Sequence, residues 1–212
     1  MKKISLIILS IFILINNLVF LNLYSEIKNN IVVKVGESLV TSIDIQNEII
    51  TKLIINRQEI TQENINSSKN NAVKKLVNKL IKKNEIKKYE IVNYNKKDLE
   101  NYVDKIAKNL NTNISGLKKI FNQTGINYEY FVENHRVELL WNTLIFKIYR
   151  DQINVNIIDV ENEIEKIRVN NNNVDLEKAK KDILDQKKGE KLNLFSRSHF
   201  SNLERTTVIN FQ

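Results

Sequence analysis

The chain has 212 residues and contains no cysteine, no proline and only 4 glycines. Without cysteine there is no disulfide framework, so burial of apolar faces must stabilise the fold. Proline and glycine are the residues that most strongly mark turns, and their scarcity favours long helices over a turn-rich β architecture. The composition therefore predicts a mainly α-helical protein.

Acidic residues are fewer than basic residues. The sequence has 33 Lys and Arg residues and 25 Asp and Glu residues, which gives a net charge of +8 at pH 7. Two of the lysines, Lys2 and Lys3, precede an apolar run, and a chain cleaved after that run would carry +6. The other lysines are scattered along predicted helices instead of forming a basic arm. This distribution is typical of a solvated surface, and we predict no nucleic-acid partner.

Residues 1–25 have the pattern of a signal peptide. The two N-terminal lysines form its positive region, and residues 4–15 form an apolar run of the matching length. Ser25 is a small residue after which cleavage is expected, although Leu23 is not the usual residue type three positions back. We therefore predict export with cleavage. The alternative is an uncleaved leader that anchors the chain in a membrane through residues 4–24.

Residues 31–50 (IVVKVGESLVTSIDIQNEII) carry, in order, the signals of a strand, a tight turn, a second strand and a capped helix. β-Branched residues alternate along the first strand. Gly36 can supply the positive φ that a two-residue hairpin turn needs. Thr41 and Asp44 are spaced as a capping box, with Ser42 as a competing N-cap. The segment predicts a β-hairpin that leads into a helix.

The rest of the chain predicts helices, since apolar residues recur at spacings of three and four. The helix after Asn127 has the broadest apolar face, which predicts that it is the central helix of the core. Later helices are predicted to begin at Asp159 and near Asp175, the last continuing past Gly189. Connections are predicted over 58–68, 89–95, 111–115 and 170–173, and a final strand over 206–211.

The chain resembles the SurA N-terminal domain family, the periplasmic chaperones of outer-membrane proteins. Residues 31–50 resemble the family's opening strand, turn, strand and capped helix, and residues 97–140 resemble its helix–loop–helix. Residues 150–167 (RDQINVNIIDVENEIEKI) resemble its link, and residues 200–211 (FSNLERTTVINF) its closing helix and strand. The resemblance covers nearly all of residues 27–212. It implies a helical core closed by a small antiparallel sheet of the N-terminal hairpin and the C-terminal strand.

The chain departs from the family at one place. Full-length members usually carry one or two parvulin-type prolyl isomerase domains between the helix after the link and the C-terminal helix. Here only about residues 170–175 lie between those helices, whereas single domains seldom run below about 50 residues. The resemblance therefore implies a chaperone without isomerase activity.

Few residues of the sequence are candidates for a catalytic or metal-binding role. His135 and His199 each lie in a predicted helix, where a histidine is more often packed or at a rim than a ligand or base. Glu161, Glu163 and Glu165 would fan around a helix, which is poor geometry for a metal. The sequence has no P-loop, no dinucleotide-binding glycine motif and no Cys/His zinc spacing. We predict no enzymatic activity, no cofactor and no metal.

Aromatic residues of the helix after Asn127 are the predicted client-binding residues, because a holding chaperone needs exposed aromatic area with a polar rim. They are Tyr128, Phe131, Trp141, Phe146 and Tyr149. The alternative for each of them is packing in the core. The basic surplus would also favour acidic client segments, over a range of about 8 Å at physiological salt.

The sequence thus predicts that residues 26–212 form a chaperone domain that holds unfolded outer-membrane proteins, or aromatic-rich segments of them, without ATP. Three alternatives remain. A membrane-tethered interaction protein of envelope assembly would keep its leader, and a basic nucleic-acid-binding protein would bind with a steep salt dependence. Residual isomerase activity is the third alternative, which a proline-peptide assay would detect.

Overall fold

The computed structural model describes residues 29–170 and 175–212, without the side chain of Asn170. Within these residues, seven α-helices pack with one small antiparallel sheet, which confirms the predicted fold class. The predicted signal peptide or anchor, residues 1–25, lies outside the described residues. So do three of the four asparagines in the predicted loop over 170–173.

The elements follow one another with short connections. The strands are β1 (Ile31–Val35), β2 (Ser38–Thr41) and β3 (Ile209–Phe211). The helices are α1 (Ser42–Ile55), α2 (Gln62–Lys88), α3 (Lys96–Asn109), α4 (Ile114–Gln123), α5 (Tyr128–Tyr149), α6 (Ile157–Asn170) and α7 (Leu176–Thr206). A short 3-10 turn, Arg150–Gln152, follows α5.

The N-terminal hairpin forms as the sequence predicts. Gly36 has a φ of +56°, a left-handed conformation that glycine adopts at little cost. Thr41 caps α1, since its hydroxyl accepts from the Asp44 N–H at 3.3 Å and its own N–H donates to the Asp44 carboxylate at 2.8 Å. This reciprocal pair is the predicted capping box, and it fixes the direction in which α1 leaves the sheet.

The sheet joins the two ends of the described chain. Its order is β2-β1-β3, and β1 pairs antiparallel with both neighbours. Two further backbone bonds extend the pairing, from Gly36 N–H to Val208 O and from Gln212 N–H to Val32 O, each 3.0 Å long. This arrangement confirms the predicted contact of the hairpin with the C-terminal strand.

Three apolar clusters build most of the core, and α5 belongs to two of them. One cluster combines α1, α3 and α4 with Phe131 and Val132 of α5. Another combines the end of α2 with Trp141 and Leu144 of α5, against α7. A third lies between the sheet and α2. The prediction that this helix is central to the core is therefore confirmed.

Four predicted boundaries were wrong. The loop predicted over 58–68 is shorter, because Thr61 caps α2 with a 3.2 Å bond from the Asn64 N–H. Helix α4 begins at Ile114, inside the loop predicted over 111–115, with Asn113 as its N-cap.

The other two boundaries lie in the C-terminal part of the chain. Helix α6 begins at Ile157, two residues before the predicted start at Asp159. The strand predicted over 206–211 is reduced to β3, since α7 runs to Thr206 and Thr207 donates from its hydroxyl to Leu203 O at 2.7 Å.

Candidate functional site

A cleft lined mainly by polar and charged residues runs along α2, and we call it the α2 cleft. It consists of two adjoining depressions of about 370 Å³ each, which share Asn71, Lys75 and Tyr102. The first depression lies towards α5 and is lined by Asn71, Lys74, Lys75, Asn78, Lys79, Lys82, Tyr102, Asn134, His135 and Glu138. The second lies towards α1 and is lined by Glu48, Lys52, Ile55, Asn56, Asn71, Ala72, Lys75 and Tyr102.

Helix α2 supplies most of the lining because one of its faces is apolar and the opposite face is rich in lysine. Leu76, Val77 and Ile81 are buried against the sheet. Residues three or four positions apart share a helix face, which brings Lys75, Lys79 and Lys82 to one side. The cleft forms where this basic side meets α1, α3 and α5.

Glu48 is the buried anion of the cleft, with an exposed fraction of 1%. Its Oε2 accepts from the Tyr130 hydroxyl at 3.1 Å and from the Asn134 amide at 3.0 Å. Its Oε1 accepts no hydrogen bond among the described residues and relies on an ion pair, with Lys75 Nζ at 2.5 Å. Burial, together with Glu48, raises the pKa of Tyr130, so this hydroxyl stays protonated and acts as a donor.

Lys79 is a half-buried cation of the cleft. Its Nζ donates to Asn134 Oδ1 at 2.6 Å and lies 4.7 Å from the centre of the Tyr130 ring. Burial lowers the pKa of Lys79 from 10.5, and Lys83 and Lys75 lower it further, while Glu48 partly offsets the shift. The lysines are therefore close enough to repel one another.

Tyr102 and His135 form one wall of the cleft as a stacked pair. Their ring centres are 3.6 Å apart and their planes differ by 10°. Burial lowers the pKa of His135 below its ordinary 6.5 and outweighs the opposite effects of Glu138 and Asp98. At pH 7 this histidine is neutral and presents a flat ring rather than a charge.

The net charge of the cleft is positive. Five lysines line its two parts, Lys52, Lys74, Lys75, Lys79 and Lys82, against the two carboxylates of Glu48 and Glu138. Glu138 pairs with Lys82 at 2.5 Å. Within residues 29–170 and 175–212, no group of three His, Cys, Asp or Glu residues could hold a metal ion. The cleft is therefore suited to binding an anion.

Two of the predicted client-binding residues, Phe131 and Trp141, are core residues in this conformation, with exposed fractions of 1% and 2%. Phe131 stacks on Phe121 with ring centres 5.0 Å apart. Trp141 donates from its indole N–H to Ser196 Oγ of α7 at 2.8 Å. Neither side chain offers a surface to a client, and contact with one would require the core to open.

The other three predicted residues lie nearer the surface but do not share one site. Tyr128 is half-buried and edges onto Phe121, with ring centres 6.3 Å apart. Tyr149 is also half-buried and stacks on Phe195 of α7, with ring centres 4.7 Å apart. Phe146 is 51% exposed. Their role in client binding stays a prediction.

Sequence reasoning missed the α2 cleft because it treated the lysines of α2 as a solvated face. One signal was available. Glu48 stands in an apolar stretch of α1, directly before Ile49 and Ile50, where a carboxylate is costly unless it is paired. The partners, however, come from helices distant in sequence, and no local pattern identifies them.

No helix in the described part of the chain is long and apolar enough to cross a membrane. The predicted anchoring segment, residues 4–24, lies outside that part.

No family model and no curated protein matches the chain. One similar solved structure comes from Campylobacter jejuni, and its description concerns two SurA-like chaperones, the virulence factor PEB4 and the periplasmic protein Cj1289. The match covers 87% of this chain and 99% of that one, at 15% sequence identity and a TM-score of 0.42. It is a weak likeness of fold.

Proposed function

We propose that this protein is an ATP-independent periplasmic chaperone that holds unfolded outer-membrane proteins before assembly. Residues 26–212 would form its chaperone domain. The observation that supports the proposal best is the pairing of β3 with β1. The resemblance in the sequence implies a helical core closed by a sheet of both chain ends, and the described residues have that architecture.

Client binding would be reversible and would involve no covalent step. A holding chaperone needs apolar side chains that a client segment can reach. Several large apolar side chains of α5, α6 and α7 are exposed, namely Phe146, Ile157, Ile158, Val169 and Leu194. Of the five predicted aromatic residues, Phe146 is the most accessible and is the first to test.

Isomerase activity is not expected, because the segment between α6 and α7 is too short for a parvulin domain. The rate of cis–trans isomerisation in a proline-containing peptide should equal the uncatalysed rate when the protein is added. A rate clearly above background would overturn this part of the proposal.

Fluorescence anisotropy of a labelled, urea-unfolded outer-membrane β-barrel protein tests the proposal by measuring binding itself. We expect saturable binding that is reversed by an excess of unlabelled client. Phe146→Ala should weaken it by severalfold, whereas Asn142→Ala, an exposed position on the same helix, should leave it unchanged. Absence of binding at micromolar protein would contradict the proposal.

A membrane-tethered interaction module of envelope assembly is the second candidate, in which the leader would be retained as an anchor through residues 4–24. The mass of the protein isolated from cells separates the two candidates. Loss of the first 25 residues would support the soluble chaperone. A full-length chain in the membrane fraction would support the tethered module.

A further inference from the structure

The α2 cleft has cations that the protein itself does not neutralise. Glu48 and Glu138 pair with Lys75 and Lys82. Lys52 and Lys74 also line the cleft, and neither pairs with a carboxylate among the described residues. Lys79 donates to the neutral amide of Asn134, and the carboxylate that attracts it, Glu48, already pairs with Lys75. Three positive charges are thus left in a concave site between helices.

We propose that the α2 cleft binds acidic segments of polypeptides, taking up their Asp or Glu carboxylates among these lysines. The proposal deepens the proposed function, on which it rests for the identity of the ligand as an unfolded client. The cleft would bind the acidic side chains of a client, and exposed apolar side chains such as Phe146 would contact its apolar side chains.

The cleft is built to bind an anion more strongly than scattered surface lysines would. Lys74 and Lys79 project from a single helix and line the same depression, so the spacing of their backbone positions is fixed before a ligand arrives. Lys79 is partly enclosed, where water and salt screen charges less than at an open surface. A bound carboxylate would also relieve the repulsion among the lysines.

The size and walls of the cleft favour a peptide over a nucleic acid. Each part holds about 370 Å³, near the lower end of the roughly 300–1,000 Å³ typical of small-ligand pockets. The carboxylates of Glu48 and Glu138 would repel a continuous row of phosphates. The stacked rings of Tyr102 and His135 offer a flat wall for an aromatic residue next to the acidic one.

The test uses two labelled peptides of equal length, one with two Glu residues beside a Tyr and one with Gln at both Glu positions. Anisotropy at low salt should show the Glu peptide binding about tenfold tighter to the purified protein. Lys52→Gln combined with Lys74→Gln should weaken the Glu peptide about fivefold, as expected for the loss of two exposed ion pairs. Circular dichroism should show that this variant is folded, since neither lysine is paired.

The matched control is Lys69→Gln combined with Lys87→Gln, which removes the same charge from exposed positions of α2 outside the cleft lining. Equal affinities for the Glu and Gln peptides would overturn the proposal. Equal losses of affinity for the Glu peptide in the cleft variant and in the control variant would also overturn the proposal. Inorganic phosphate or a short single-stranded oligonucleotide that displaces the Glu peptide at the same concentration would reject a peptide-specific site.

The outcome can be separated from the proposed function by measuring client aggregation with the same variants. If the protein prefers the Glu peptide but does not suppress client aggregation, the α2 cleft binds acidic peptides and the proposed chaperone function is wrong. If the cleft variant and the wild type suppress aggregation equally and neither prefers the Glu peptide, the chaperone function is supported and the role of the α2 cleft is contradicted.

Discussion

Glu48 links three helices through one buried carboxylate. It joins α1 to Lys75 of α2 and to Tyr130 and Asn134 of α5. A buried charge is stable only when it is paired and hydrogen-bonded, and here both conditions are met. The same carboxylate helps to hold Lys79 in the cleft through Asn134, so the packing of the core and the charge of the cleft depend on one residue.

Glu48→Gln should lower the free energy of unfolding by about 2 kcal/mol, because it replaces hydrogen bonds to a charged group with neutral ones and removes the ion pair. Lys75 is 55% exposed and can be rehydrated, which keeps the loss below that of a fully buried pair. Urea unfolding measures the difference. Asp104→Asn, which breaks an exposed pair with Lys108, is the control and should cost less than about 0.5 kcal/mol. Equal effects would show that the Glu48 network adds nothing.

His135 should make stability depend on pH. Because burial lowers its pKa in the folded protein, the unfolded chain binds more protons just below pH 6.5. Stability is therefore lost as the pH falls from about 6.5 towards the lower folded-state pKa. His135→Gln should lose less stability than wild type between pH 7.5 and 5.5 in urea unfolding. Parallel pH profiles of the two proteins would contradict this assignment.

At the scale of the elements, the two halves of α7 pack against different helices. Its first half lies beside α6, where Lys187 pairs with Glu163 at 2.7 Å. Its second half packs on α2 and α5, where His199 bridges Glu85 at 3.2 Å and the Tyr149 hydroxyl at 2.9 Å. Gly189 lies within this one continuous helix. Both halves therefore share one helical axis, although different contacts hold them.

Gly189→Ala should stabilise the protein by about 0.5–1 kcal/mol, because alanine is the better residue in a helix interior. A Cβ at this position would have no neighbour within 4 Å, so the substitution adds no clash. Gly125→Ala is the contrasting variant. Gly125 has a φ of +73°, and the substitution should destabilise the protein by about 1 kcal/mol. Thermal unfolding should show opposite shifts, and a loss of stability in Gly189→Ala would contradict a continuous α7.

Elements with local signals were predictable from the sequence, and those set by distant partners were not. Thr41, Asp44, Gly36 and Asn127 act through neighbours within four residues, so their patterns identified the hairpin turn and two helix starts. The first two turns of α2, residues 62–68, were missed because they are mostly polar and exposed, apart from the half-buried Ile65 and the buried Ser68.

The candidate site was harder to predict than the fold. Periodicity places an aromatic residue on the apolar face of α5, but it does not reveal whether another helix covers that face. Trp141 is covered by α7, some 55 residues later in sequence, while Phe146 on the same helix stays exposed. The α2 cleft likewise depends on how four helices meet.

At the scale of the whole molecule, the pairing of β3 with β1 closes the fold. Ile209 pairs with Val35 and packs inward on the cluster between the sheet and α2. Asn210 pairs with Lys34 and is exposed. Because α7 leads directly into β3, the sheet also fixes the far end of α7 against the core.

Ile209→Ala should destabilise the protein by about 1–2 kcal/mol, less than a fully buried isoleucine would cost, since its side chain is only partly buried. Asn210→Ala, on the opposite face of the same strand, should change stability by less than about 0.5 kcal/mol. Urea unfolding of both variants measures the contrast. Equal small effects would show that β3 does not contribute to the core.

Light scattering measures whether this protein holds unfolded outer-membrane proteins in solution, as we propose. An unfolded outer-membrane β-barrel protein is diluted out of urea with and without the purified protein, at several salt concentrations. We expect aggregation to be suppressed at every salt concentration, with a smaller effect at high salt, where the lysines of the α2 cleft are screened. Unchanged aggregation at a severalfold excess of the protein would contradict the claim.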